Sequence, residues 1–283
     1  MATTAPPTTD TRRPPRAPVS AVRQLLRLTR TELTLFHRYR TALYMAFMPL
    51  VLLLPAFTMP EAEVAPGILN RAYLVSGLPV LSAMTLAVLH MPNVYAARRE
   101  MMILKRFRVS GVPPAALFGA TGVAVFAITV AISVLVGGLM AARFDTLPSD
   151  PLLLLLAVML TTAIVSMLGL VFTNLARNAE SAQMISMVPF LLFIAISGTF
   201  VPPDLMPAPV ANALSYLPML PAIDIARSAY FGLDTFGGVE GATSATGLDL
   251  WVAAAPSLLV LLVWLGIATY LLRFFRWDPR QAD

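Results

Sequence analysis

Cysteine is absent from these 283 residues. That excludes a disulfide framework, a thiol nucleophile and a thiolate metal site, and leaves the redox compartment unmarked. Lysine is almost missing too, Lys105 being the only one among twenty basic residues. A phosphate-binding loop needs glycines before its lysine and a serine or threonine after it, so that backbone N–H groups cradle the phosphates. Lys105 stands between Leu104 and Arg106, so any ATP hydrolysis must belong to another polypeptide. Charge is scarce at 12%, against 58% hydrophobic residues and a mean hydropathy of +0.76, the composition of a protein integral to a lipid bilayer. Mid-span acids are lacking, which argues against a proton-driven carrier, and the same scarcity argues against a membrane-embedded enzyme or metal centre. The preference for arginine over lysine, with abundant alanine and proline, reads as GC-rich coding and points to a bacterial plasma membrane.

Apolar run length organises what is present. Residues 1–18 are Pro, Thr and Arg with little to bury, and are expected to stay disordered on the cytoplasmic side. Residues 19–40 follow with Val22, Leu25, Leu26, Thr29, Leu33 and Phe36 on one side and Arg23, Arg27, Arg30 and Arg38 on the other. With Ser20 as N-cap, this predicts an amphipathic helix lying along the inner membrane surface; the alternative is an ordinary helix of a soluble domain. Six runs then meet the need for about 20 apolar residues across a hydrocarbon core of ~30 Å. They fall near 41–59, 73–95, 115–141, 152–175, 181–200 and 250–272, with prolines 49, 55, 79, 92 and 189 inside them. The fold class is therefore an all-α integral membrane protein of six transmembrane helices within 41–275, closed by a cytoplasmic tail at 276–283. With the N-terminus inside, the cytoplasmic segments hold seventeen basic residues, and the outside keeps only Arg71, Arg143 and Arg227. That asymmetry puts both ends in the cytoplasm and accounts for the net charge of +5 without nucleic acid, since no aromatic-interleaved basic platform accompanies it.

Two segments break the pattern. After the second span, "RREMMILKRFRVSG" (98–111) reads as a cytoplasmic helix over 98–110, beginning at Arg98, Arg99 and Glu100 and stopped by Gly111. A pure topology determinant needs no Met101, Leu104 or Phe107 among its charges, so a docking surface is expected there. The second segment, "SGTFVPPDLMPAPVANALSYLPMLPAIDIARSAYFG" (197–232), is apolar yet carries six prolines with Asp204, Asp224 and Arg227. Each central Asp or Arg costs roughly 2.5–3.5 kcal/mol on translocon scales, so a seventh straight crossing loses. A re-entrant helical hairpin at 201–232 fits instead, with helices starting near Pro209 and Pro221 and the second ending at Gly232. Asp224 and Arg227, three apart, are placed to pair on one face, either neutralising each other or meeting cargo. His90 reads as a hydrogen-bonded structural residue or a proton carrier, and Glu180, after Asn178, as a helix cap.

Together these features resemble the permease subunit of type-two ABC exporters, nearest the daunorubicin-resistance permeases. The resemblance runs over residues 20–275 and rests on the topology and on "NAESAQMISMVPFLLFIAISGTFVPPDLMPAPVANALSYLPMLPAIDIARSAYFG" (178–232), above all Pro189, Ser197, Gly198, Phe200, Pro202, Pro203, Leu217, Pro218, Pro221, Asp224 and Arg227. It implies a homodimer or paired permeases, a separate ABC ATPase that uses ATP and Mg, and a coupling helix seated on that ATPase around Arg98, Arg99, Glu100, Leu104, Lys105, Arg106 and Phe107. Family members usually carry a glycine shortly after the loop glutamate; here Met101 and Met102 follow Glu100. The expected activity is outward movement of an amphipathic small molecule, a drug or antibiotic. Alternatives are export of a lipid or lipid-linked glycan, or a non-transporting scaffold or immunity protein; aromatics at 9% without an extra sugar-binding domain do not favour the glycan.

Overall fold

The computed structural model describes residues 20–278 except 52, 66, 237, 240 and 241. The predicted tail at 1–18 and residues 279–283 lie outside the described residues. Helix α1 (Ala21–Arg38) is capped by Ser20, whose Oγ accepts from the Arg23 N–H at 3.4 Å. It is followed by α2 (Arg40–Val51) and α3 (Leu53–Thr58), and the run Ala42–Thr58 is bent 72° from α1. A short antiparallel pair, β1 (Glu63–Ala65) and β2 (Ile68–Leu69), leads into α4 (Asn70–Ser76) and α5 (Leu78–Glu100), separated by Gly77. Then come α6 (Ile103–Val109), α7 (Pro114–Phe144), α8 (Pro151–Phe172) and α9 (Ala179–Ile196). Two shorter helices, α10 (Ala208–Leu214) and α11 (Met219–Phe231), precede the pair β3 (Leu233–Asp234) and β4 (Thr243–Ser244) and the last helix, α12 (Leu248–Leu271).

Five stretches are long and apolar enough to cross a bilayer: Asn70–Glu100, Pro114–Phe144, Pro151–Leu175, Ala179–Ile196 and Leu248–Phe274. The bent pair of α1 with Ala42–Thr58 makes a sixth if counted as one span. The chain is thus an all-α integral membrane protein. Several ends differ from expectation for local reasons. Pro79 lies within the Asn70–Glu100 span, in the first turn of α5, where its missing N–H has no helical partner to lose. The fifth span stops at Ile196, because Gly198 turns left-handed (φ 69°) and a Cβ there would lie 2.5 Å from Leu220.

One helix, α5, meets protein on every side: the whole of its most apolar stretch is buried. It packs against α8, α9, α7 and α2, while α1 lies along α7 and α12 against α8 and α11. Close approach relies on small residues. At Gly169 of α8 an added Cβ would stand 3.2 Å from the Ala87 carbonyl and 3.3 Å from Met91 and Pro92 of α5. The end bearing α6 and the end bearing α10 and α11 are then held by different polar networks.

Candidate functional site

At the α6 end, nothing in Ala97, Arg98, Arg99 and Glu100 opposes helix, so α5 runs on through them. The predicted 98–110 helix is therefore corrected: Arg98, Arg99 and Glu100 close the second span, and α6 begins at Ile103. The break lies at Met102, which adopts φ 58° and ψ 15°, left-handed backbone that L residues avoid. It falls in the stretch where the resemblance leads one to expect glycine. The far end of α6 closes with a Schellman pair, the Gly111 N–H donating to the Arg108 carbonyl (3.3 Å) and Val112 to Phe107 (3.2 Å), with Gly111 at φ 74°.

The three residues moved into α5 each bond to another part of the chain, Arg99 from a buried position and Glu100 from an exposed one. Arg99 is buried and donates to the Ala176 carbonyl in the turn between α8 and α9. Arg98 donates to both carboxylate oxygens of Glu32 on α1, at 2.6 and 2.7 Å, its guanidinium 5.2 Å from the Tyr95 ring centre. Glu100 accepts from the Ala179 N–H (3.4 Å) at the start of α9, an end also closed by a reciprocal box between Asn178 and Ser181. Along α6, Leu104 is buried and Phe107 packs on the core, whereas Met101, Met102, Lys105, Arg106, Arg108 and Val109 are exposed. The structure thus separates the predicted coupling residues into an inward latch and an outward basic face.

Sequence reasoning missed several partners here. Glu32 was legible in part, because it lies in phase with Thr29 and Phe36, three and four residues away, on the stripe that α1 buries. Arg276 and Trp277, expected to begin a tail, are tied down: Arg276 N–H donates to Asn174 Oδ1 (2.8 Å), and Trp277 packs on Phe118 and on Phe275, which itself packs on Tyr95.

At the opposite end, Pro202 and Pro203 form a turn, Pro203–Leu205 being a 3-10 helix. Pro218 is the N-cap of α11, which starts at Met219, two residues before the predicted start at Pro221, so Pro221 falls inside the first turn; the Gly232 stop (φ 64°) matches the expected end. α10 is a surface helix, but α11 is buried from Met219 to Tyr230. Asp224 Oδ1 lies 3.9 Å from Arg227, a loose pair. The stronger engagements of Arg227 are elsewhere: it donates to the Gly198 (3.0 Å) and Thr199 (3.2 Å) carbonyls and stacks 3.9 Å from the centre of the Tyr73 ring in α4. Arg227 therefore staples the end of α9 to α11 and α4, and desolvation of its guanidinium is offset by the two carbonyl dipoles and the ring face more than by the acid. Among the described residues no group of three or more His, Asp or Glu is placed to hold a metal ion.

The bundle thus has five helices able to cross a bilayer, or six with the bent pair counted as one span, a basic helix after Asn70–Glu100 and a buried helix before the last crossing. A profile described as ABC-2 type transporter matches residues 19–231. The chain belongs to the ABC-2 type transporter family. As such it is a permease subunit, and the family implies an ABC ATPase as its partner. No curated protein matches this ABC-2 chain.

Proposed function

We propose that this ABC-2 permease exports an amphipathic small molecule, in the manner of drug or antibiotic exporters of the daunorubicin-resistance type, using ATP and Mg bound by a separate ATPase subunit. The α6 end faces the cytoplasm in this reading, because basic residues concentrate there. Two permeases, identical or paired, would enclose the path. One observation carries the proposal: α6 is apolar inward, through Leu104 and Phe107, and cationic outward, and it hangs from α5, the buried axis of the bundle. A force applied to the exposed face of α6 is delivered to α5 and, through Arg98, Arg99 and Glu100, to α1 and the turn before α9.

Charge reversal separates the two halves of this device. Lys105→Glu with Arg106→Glu should leave insertion and thermal stability unchanged while reducing co-purification of the partner ABC ATPase by about tenfold, the loss of roughly 1.4 kcal/mol of association. Co-purification at the level of the unaltered chain would refute α6 as the docking face. Export is read separately, as ATP-dependent accumulation of a fluorescent amphiphile in inverted vesicles containing both subunits. Accumulation that persists without the ATPase would overturn the reading.

A further inference from the structure

One cavity is neither part of α6's outer face nor of the α11 staple. It has a volume of about 420 Å³ and opens between α1, Tyr39 and the last turns of α5, with Ile103 of α6 at its edge. Its apolar wall is Leu35, Phe36, Val94, Ala97 and Met101, and its polar lining is Glu32, His90, Asn93 and Arg98. Glu32, His90 and Asn93 are each more than nine-tenths buried, at 8%, 6% and 6% exposure. Buried polar side chains are ordinarily hydrogen-bonded. Here the Nδ1 atom of His90 is buried without a hydrogen-bond partner among the described residues, its ring held edge-on by Phe36 at 5.1 Å. The Asn93 carboxamide likewise makes no hydrogen bond to a described residue, whereas Glu32 and Arg98 consume each other at 2.6 and 2.7 Å.

The charge in the cleft therefore cancels, and the lining groups left without a hydrogen-bond partner among the described residues are neutral: the His90 imidazole and the Asn93 carboxamide, beside an apolar wall. Volume and lining match a site for a small organic molecule. We propose that the cleft binds a neutral amphiphile, its carboxamide or hydroxyl head between His90 and Asn93 and its apolar body along Phe36, Val94 and Ile103. An anionic lipid head is poorly served, since the one cation present is already paired. Because Met101 and Ile103 flank the α5–α6 break, an occupant touches the segment that carries force from α6. Naming the occupant as cargo rests on the export reading; the binding itself does not.

The cysteine-free chain makes the test direct. A single Leu35→Cys on the cavity wall is alkylated by a water-soluble maleimide in phosphatidylcholine nanodiscs, with Val109→Cys, on the outer side of α6, as control. Decanamide at ten times its Kd should slow alkylation of Leu35→Cys about tenfold by mass action and leave Val109→Cys unaffected. Decanoate and decyltrimethylammonium, with the same chain but charged heads, should protect far less, and His90→Phe or Asn93→Leu should abolish protection by decanamide. Equal protection by all three probes, or protection that survives both substitutions, would show only a greasy groove and overturn the proposal. So would a Leu35→Cys already shielded before any probe is added, which would mark a bilayer lipid as the occupant. The charge series needs no substitution of His90 or Asn93, so it decides the matter even if those variants fail to fold. Loss of ATP-driven export with protection intact would count against the export reading alone; absent protection with export intact, against the cleft alone.

Discussion

At the scale of single residues, burial and not charge decides what each arginine does. Arg99→Glu should collapse the bundle, because it buries an acid where a guanidinium held the Ala176 carbonyl. A loss of about 3–5 kcal/mol is expected, read as a lowered melting temperature or yield in detergent. Arg227→Ala should cost a similar amount, and more than Asp224→Ala, since the arginine holds two carbonyls and a ring while the acid contributes one contact at 3.9 Å. Equal losses from the two would contradict the staple. The sequence marked both arginines as functional candidates but had no means of showing that they point inward. Their partners, Ala176, Gly198 and Thr199, offer backbone carbonyls, and a carbonyl acceptor leaves no signature in residue type. Tyr73 under Arg227 was silent for the related reason that it lies in another helix.

Among elements, apolar run length made the spans legible and backbone chemistry moved their ends. Ala, Arg and Glu continue a helix, so α5 absorbs residues that charge pattern alone assigned to the loop. The turn that follows rests on Met102 in left-handed backbone, and Met102→Gly should stabilise the protein by about 1 kcal/mol, seen as a raised melting temperature. Unchanged or lowered stability would mean that the methionine side chain offsets its own strain. Helix spacing gives a sharper contrast. Gly169→Leu should drive α8 from α5 and sharply reduce folded protein, whereas Gly266→Ala, with open space around the position, should be tolerated. The proline-rich break before the last span was recognisable in the sequence, but its burial was not: nothing in the run from Met219 to Tyr230 announces that all of it is enclosed by protein.

For the molecule as a whole, the sequence offered the apolar runs long enough to cross a bilayer, and it concealed which helix sits at the centre. In a bilayer the most apolar helices suit the rim, so α5, which carries Ser82, His90, Asn93 and Arg99, lies inside, while α7, α9 and α12 leave most of their surface outward. Hydropathy ranks the helices but does not order them in space. Coupling across the bundle is testable through Glu32 and Arg98, which join the entry helix to the axis. A double-mutant cycle of Glu32→Ala and Arg98→Ala should give an interaction of roughly 1–3 kcal/mol in thermal stability; an additive result would mean that α1 is held by apolar packing on α7 alone. The enclosure of α5 has one more consequence. Acyl-chain length acts on whatever touches the chains, so thinner or thicker vesicles should shift the fluorescence of Trp264 on α12 as the periphery tilts to match. A probe on the axle, sheltered from the hydrocarbon, should register no such change.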